Sequence, residues 1–279
     1  LGSAPAAMFF GGGWREMLLT ALLGALVGLM AILLGRKAGL SRLVHPIAGT
    51  LVGFLAVAAA YRFPQVSPQV LTVAGLIVLV PGLRLVVSMN ELATGNLVAG
   101  TARLVDTAMI FLSLGFGVAL GQRLAVTMLD RALQGTPVPL PGWTILPTLL
   151  LAASAFVVIF KARPRDLPWI FAACVLAFFG AREGAVLLGP QFGVGLGAFA
   201  LGLGSNLYTR LTRRPSVVTL LPGLMVLVPG GLGFKGLEFI IQKQLVVGLD
   251  TAFQALFVAI ALLTGLLLAH AAVQPRTAL

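Results

Sequence analysis

Asp106 and Asp250 are the residues around which chemistry could be organised. Each heads an Asp-Thr-Ala triplet, and each is followed fifteen residues later by a glycine, Gly121 or Gly265. Each also falls inside a long apolar run. A carboxylate in a membrane span costs about 2.5–3.5 kcal/mol on insertion scales, so it is expected to face a cavity or a partner. Taking up and releasing a proton is the chemistry that suits such a position. Arg103 stands three residues before Asp106, on the same helical face. Two readings of this pair stay open. It is a structural salt bridge near the membrane edge, or Arg103 holds Asp106 or a substrate carboxylate. Asp250 has no basic residue three or four positions away, and Gln254 shares its face. Its alternative is an interfacial acid at the start of a span.

The elements that must position these acids repeat. GLIVLVPG (75–82) recurs as GLMVLVPG (223–230). In each copy an apolar run meets a Pro-Gly pair, Pro81-Gly82 or Pro229-Gly230. The chain then breaks, crosses a mixed polar loop and re-enters the helix that carries the aspartate. Proline removes a backbone donor and clashes with the preceding turn. At membrane depth, a broken backbone is tolerated only where it is buried in protein or lines water. Matching breaks in two halves point to a transport site. Asn90, Glu91 and Asn96 lie beyond the first break and are expected to gate or line one mouth.

Composition sets the class. The 279 residues are 59% hydrophobic and only 10% charged, against about 25% charged in soluble domains. The expectation is an all-α polytopic membrane protein, with the lipid bilayer as one partner. The net charge of +11 comes largely from short clusters between apolar runs: Arg36, Lys37 and Arg42; Lys161, Arg163 and Arg165; Arg210, Arg213 and Arg214. Such placement marks topology determinants, not a nucleic-acid surface. Cys174 is the single cysteine, and the two histidines are far apart. Neither a disulfide nor a zinc site is expected, and no cofactor is called for. Glycines 193, 195, 197, 202 and 204 permit close helix packing, within the chain or in a homo-oligomer.

Apolar runs over 17–34, 44–60, 70–80 and 97–121 precede a polar, Pro-rich connector at 122–142. Runs over 143–160, 168–181, 192–207, 216–228 and 245–269 come after it. Residues 4–10 are an apolar stub, and the boundary around 181–191 is ambiguous. This predicts a first membrane repeat over 1–130 and a second over 131–279. Counting the stub as a truncated first helix makes about nine to ten spans in two five-helix repeats. An odd number of spans per repeat makes the second repeat inverted. Basic residues favour the loops at 35–43, 83–96, 161–167 and 209–215 and the C-terminus. That side is expected to be cytoplasmic, which puts the two Pro-Gly loops on opposite faces.

Three stretches carry a resemblance: FFGGGW (9–14), LVPGLRLVVSMNELATGNLVAGTARLVDTA (79–108) and RRPSVVTLLPGLMVLVPGG (213–231). The chain resembles the threonine/serine exporter family of bacterial membrane proteins over essentially its whole length. The resemblance implies ten membrane helices and export of small hydroxy amino acids, driven by the proton gradient across a bacterial inner membrane. It also implies an acid after the Pro-Gly pair, a Gly-acid step and a Gly-x-x-Arg helix start. Glu91, Gly95-Asn96 and Gly100-Thr101-Ala102-Arg103 stand at those places. Asn96 replaces a common acid, and Asp106 replaces a common Glu. An N-terminal soluble region and a complete first helix are further features the resemblance implies, and this chain is expected to begin inside that helix. The partners implied are a small amino acid and protons.

Two rivals compete with this reading. An intramembrane aspartyl protease also needs two membrane aspartates, but neither acid lies in a GxGD pattern, and Gly248-Leu249-Asp250 comes nearest. Serine-type proteolysis needs a histidine within a span, whereas His45 and His270 lie at span ends. No enzyme is therefore expected. A channel or scaffold would lack gradient-driven accumulation.

Overall fold

The Pro-Gly pairs interrupt the backbone, and the chain resumes as helix after each of them. In the computed structural model, which describes residues 2–36, 39–129 and 135–273, every regular element is helical and no strand occurs among the described residues. The helices of the first half are α1 (Ser3–Phe9), α2 (Trp14–Gly35), α3 (Val44–Arg62), α4 (Pro68–Leu76), α5 (Gly82–Ala93) and α6 (Leu97–Leu129). Those of the second are α7 (Ile145–Ile159), α8 (Leu167–Leu188), α9 (Pro190–Thr212), α10 (Val217–Leu227), α11 (Gly230–Ile241) and α12 (Leu245–Ala272). The junction expected at 130, Lys37 and residues 274–279 lie outside the described residues.

Seven helical segments among the described residues are long and apolar enough to cross a bilayer. The chain is a polytopic membrane protein with fewer such spans than the nine to ten expected. The difference has three sources. The run at 70–80 is not one span, because α4 has nine residues and α5 twelve. At 1.5 Å per residue they reach about 14 and 18 Å, short of a hydrocarbon core of about 30 Å. Next, α9 is long enough at 23 residues, but its glycines and Asn206 dilute its hydropathy. Finally, the N-terminal stub is the seven-residue α1, whose Ala4, Ala6 and Ala7 are buried.

The segments expected as loops at 83–96 and 231–244 form α5 and α11 instead. On α5, Gly82, Leu85, Val86 and Ser88 are buried, while Arg84, Val87 and Asn90 are exposed. That is the one-sided periodicity of an amphipathic helix. Proline just before the first turn suits a helix start, because its missing N–H needs no partner there. Other boundaries shift too. The 33-residue α6 runs on to Leu129, into the region expected as connector. Arg182-Glu183 lies inside α8, and the chain turns at Gly189 (φ +93°) straight into α9.

The chain forms two compact units. The first comprises Leu1–Pro81, Val105–Thr144 and Gly230–Ala252, and the second Gly82–Leu104, Ile145–Pro229 and Phe253–Leu279. Each half thus sends the helix after its break into the unit built mainly by the other half: α5 belongs to the second unit and α11 to the first.

The first unit packs Leu23, Val27, Val52, Leu71, Leu76, Leu114 and Phe234 into one apolar cluster. Gly117 and Gly121 of α6 lie directly on the α3 backbone at Pro46 and Thr50. Glu16, only 2% exposed, ties α2 to α4 by accepting the Gly13 N–H (3.0 Å) and the Ser67 N–H (3.1 Å). In the second unit Leu149, Ala153, Ile170 and Cys174 form the buried cluster. Gly184 of α8 meets Gly193 of α9 backbone to backbone, and Gly265 of α12 abuts Gly195 of α9. Asp166, 6% exposed at its side chain, is paired with Arg214.

Candidate functional site

The two post-break helices end in the same kind of turn. After α5, Gly95 is left-handed (φ +84°), the Asn96 N–H donates to the Glu91 carbonyl at 2.8 Å, and the Gly100 N–H donates to the Asn96 carbonyl at 2.9 Å. After α11, Lys243 is left-handed (φ +65°), the Gln244 N–H donates to the Phe239 carbonyl at 2.9 Å, and the Gly248 N–H donates to the Gln244 carbonyl at 2.9 Å. Gly100 packs on Leu92, and Gly248 packs on Ile240. Gly82 and Gly230, Gly95 and Lys243, Asn96 and Gln244, and Gly100 and Gly248 are therefore matched pairs in one constant register. A strained lysine stands where the first half uses glycine, and the hydrogen bonds of the turn hold it there.

This register bears on the aspartates. It sets Gln254 opposite Asp106, and Asp250 opposite Ala102. The two Asp-Thr-Ala triplets are displaced by one helical turn along α6 and α12, so they share a face but not a position. Asp106 and Asp250 are both exposed in the isolated chain, and Gln254 is half-buried. None of the three is without a partner.

In the second unit the predicted residues Glu91 and Arg103 come together. Arg103 Nε donates to both Glu91 oxygens, at 2.8 and 2.9 Å. The arginine side chain is 57% exposed and the glutamate side chain 19%. Arg103 thus reaches back to α5. Asn90 is exposed on α5, and Asn96 sits in the turn with its Nδ2 at 3.4 Å from Thr94 Oγ1. Pro81, Gly82, Pro229 and Gly230 are all withdrawn from the surface, as backbone inside a protein-lined break should be.

The first unit holds a charged cluster that sequence reasoning missed. Glu238 on α11 is 6% exposed. Its Oε1 accepts from Gln122 Nε2 of α6 and from Gln242 Nε2, each at 3.5 Å. Lys235 stands three residues earlier on α11, with Nζ 4.8 Å from the Phe10 ring centroid. Interrupted hydropathy makes this stretch read as a loop. Alignment of the second half on the GLxVLVPG repeat is the signal that finds it, because Glu238 then falls opposite Asn90, beside Glu91. No group of three or more His, Cys, Asp or Glu that could hold a metal occurs among the described residues.

The threonine/serine exporter family model ThrE matches residues 1–125, and a second, "Threonine/Serine exporter, ThrE", matches 147–272. An uncharacterised protein of Schizosaccharomyces pombe is 30% identical over 88% of this chain and 30% of its own length. Pheromone-regulated membrane protein 10 of Saccharomyces cerevisiae is 26% identical over 87% of this chain and 63% of its own. The protein of the same name from Debaryomyces hansenii is 28% identical over 90% of this chain and 25% of its own. The chain thus spans about a quarter to two thirds of the length of these relatives. No solved structure matches it.

These relatives correct one expectation. They are fungal, with membrane proteins among them by name, and point to a eukaryotic membrane. A bacterial inner membrane is therefore not the setting that these relatives support. The multi-pass character is retained. With both halves matched in order, the chain belongs to the threonine/serine exporter family.

Proposed function

We propose that this chain is a secondary transporter that exports small hydroxy amino acids, threonine or serine, in exchange for protons. Family membership supports a membrane transporter. One observation carries the finer reading: each half of the chain breaks at Pro-Gly and lends the short helix after the break to the unit built mainly by the other half. Broken helices at corresponding positions of two repeats are the pattern that builds substrate sites in transporters. In this reading the repeats are the sequence halves 1–130 and 131–279, inverted with respect to each other, and α5 and α11 are the moving or lining elements.

Asp106 and Asp250 are the proton carriers. Arg103, held by Glu91, organises the turn between α5 and α6, where Asn90 and Asn96 line one mouth. Gln254, opposite Asp106 in the turn register, serves as its neutral counterpart. The test uses the full chain in proteoliposomes with radiolabelled threonine and an imposed pH gradient. Asp106→Asn and Asp250→Asn are each expected to abolish gradient-driven accumulation. Exchange of labelled for unlabelled threonine should persist in at least one of them. If both variants accumulate threonine like the wild type, these carboxylates do not carry the coupling proton.

A further inference from the structure

We infer that the Lys235–Glu238 face of α11, with Gln122 of α6, is a binding site for the two charged ends of a small α-amino-acid zwitterion. The inference rests on the amino-acid transport reading above and places the substrate at residues other than the proton-carrying aspartates. All of its residues belong to the first compact unit.

Two opposite charges here do not meet. Lys235 and Glu238 are three residues apart on one helix, which puts their Cβ atoms about 5–6 Å from each other. That spacing allows a direct ion pair. Instead Lys235 Nζ sits over the Phe10 ring, 4.8 Å from its centroid. Glu238 receives only two side-chain amides, both on Oε1 and both at the long limit of 3.5 Å. Yet Glu238 is 6% exposed, and a carboxylate so withdrawn from water is costly unless something pairs with it.

A ligand carrying both signs resolves the arrangement. Its ammonium group answers Glu238, and its carboxylate answers Lys235. A simple anion would face the Glu238 carboxylate, and a simple cation would face the Lys235 ammonium, so neither satisfies the pair. In an α-amino acid the two charges are one carbon apart, which suits partners one helical turn apart. Gln122 and Gln242 each offer an amide donor and acceptor to a third polar group, and a β-hydroxyl is such a group. The helix that carries the charged pair starts at the Pro229-Gly230 break.

The experiment measures binding and transport on the same purified full chain. Binding of radiolabelled L-threonine is read by scintillation proximity. The competitors are L-threonine methyl ester, which lacks the carboxylate, and 3-hydroxybutyrate, which lacks the ammonium group. The wild type should prefer threonine to both by at least about 30-fold, the ratio that matches the loss of one buried charge partner. Lys235→Gln should erase the preference over the methyl ester and keep that over 3-hydroxybutyrate. Glu238→Gln should do the reverse. A structural role would weaken all three ligands in parallel, and that result overturns the assignment, as does an unchanged preference in both variants. If the wild type transports threonine while either of these patterns appears, the substrate sits elsewhere and the transporter reading stands. If the wild type neither binds nor transports any amino acid, that reading falls and this inference falls with it.

Discussion

Glu16→Ala should loosen the joint between α2 and α4, upstream of the first break. Glu16 is 2% exposed and accepts two backbone N–H groups, from Gly13 at 3.0 Å and Ser67 at 3.1 Å. Gly13 precedes α2 and Ser67 precedes α4, so one carboxylate closes two helix starts far apart in the chain. Each donor stranded in a buried place costs about 1–3 kcal/mol, so alanine should lose about 2–6 kcal/mol. Glu16→Gln keeps one acceptor oxygen and turns an amide N–H toward the other donor, so it should lose about half as much. For a chain of this size 1 kcal/mol corresponds to about 2–4 °C. The alanine variant should therefore unfold several degrees below the wild type, with the glutamine variant between them. The assay is thermal unfolding in detergent by intrinsic tryptophan fluorescence, run on all three proteins at one scan rate. Alanine and glutamine variants that both melt with the wild type would refute the two-helix staple.

Four further outcomes are expected. Gly121→Leu drives a side chain into the α3 backbone at Thr50 and should destabilise by about 1–3 kcal/mol or more, read as loss of a monodisperse peak in size-exclusion chromatography. Gly28→Leu, with open space at its Cβ position, should be tolerated in the same assay. Glu91→Gln and Arg103→Gln remove a pair whose arginine is 57% exposed, so each should change stability by less than about 1 kcal/mol, and any larger loss of transport then reports on function. Cys174, fully buried, should resist maleimide in the folded protein and react on denaturation, with labelling followed by intact mass.

Much of the architecture is legible in the chain because a bilayer imposes long apolar runs. The runs at 17–34, 44–60 and 143–160 reappear as α2, α3 and α7 with only small changes at their ends. The repeat of GLIVLVPG as GLMVLVPG locates both breaks, with Pro81, Gly82, Pro229 and Gly230 withdrawn from the surface there. Hydropathy fails at the short helices after each break. Their polar residues, Arg84, Asn90 and Glu91 on α5 and Lys235 and Glu238 on α11, lower the average, whereas tertiary packing of one apolar face holds the helix. The pairing of Arg103 is equally hidden. Asp106 is near it in sequence, but the Gly95 turn folds Glu91 back to within hydrogen-bonding distance. Sequence identity in the Asp-Thr-Ala triplets also misleads on register. Turn hydrogen bonds align the halves one helical turn away from the alignment of the triplets.

We propose above that this chain couples amino-acid movement to protons. Its most direct test is uptake of radiolabelled threonine by proteoliposomes containing the purified full chain, with the lumen acid and the medium near neutral. Threonine should accumulate in the lumen above its external concentration, and a protonophore should collapse the accumulated pool. Uptake that only equilibrates across the membrane, at the same rate with and without the pH gradient, would contradict it.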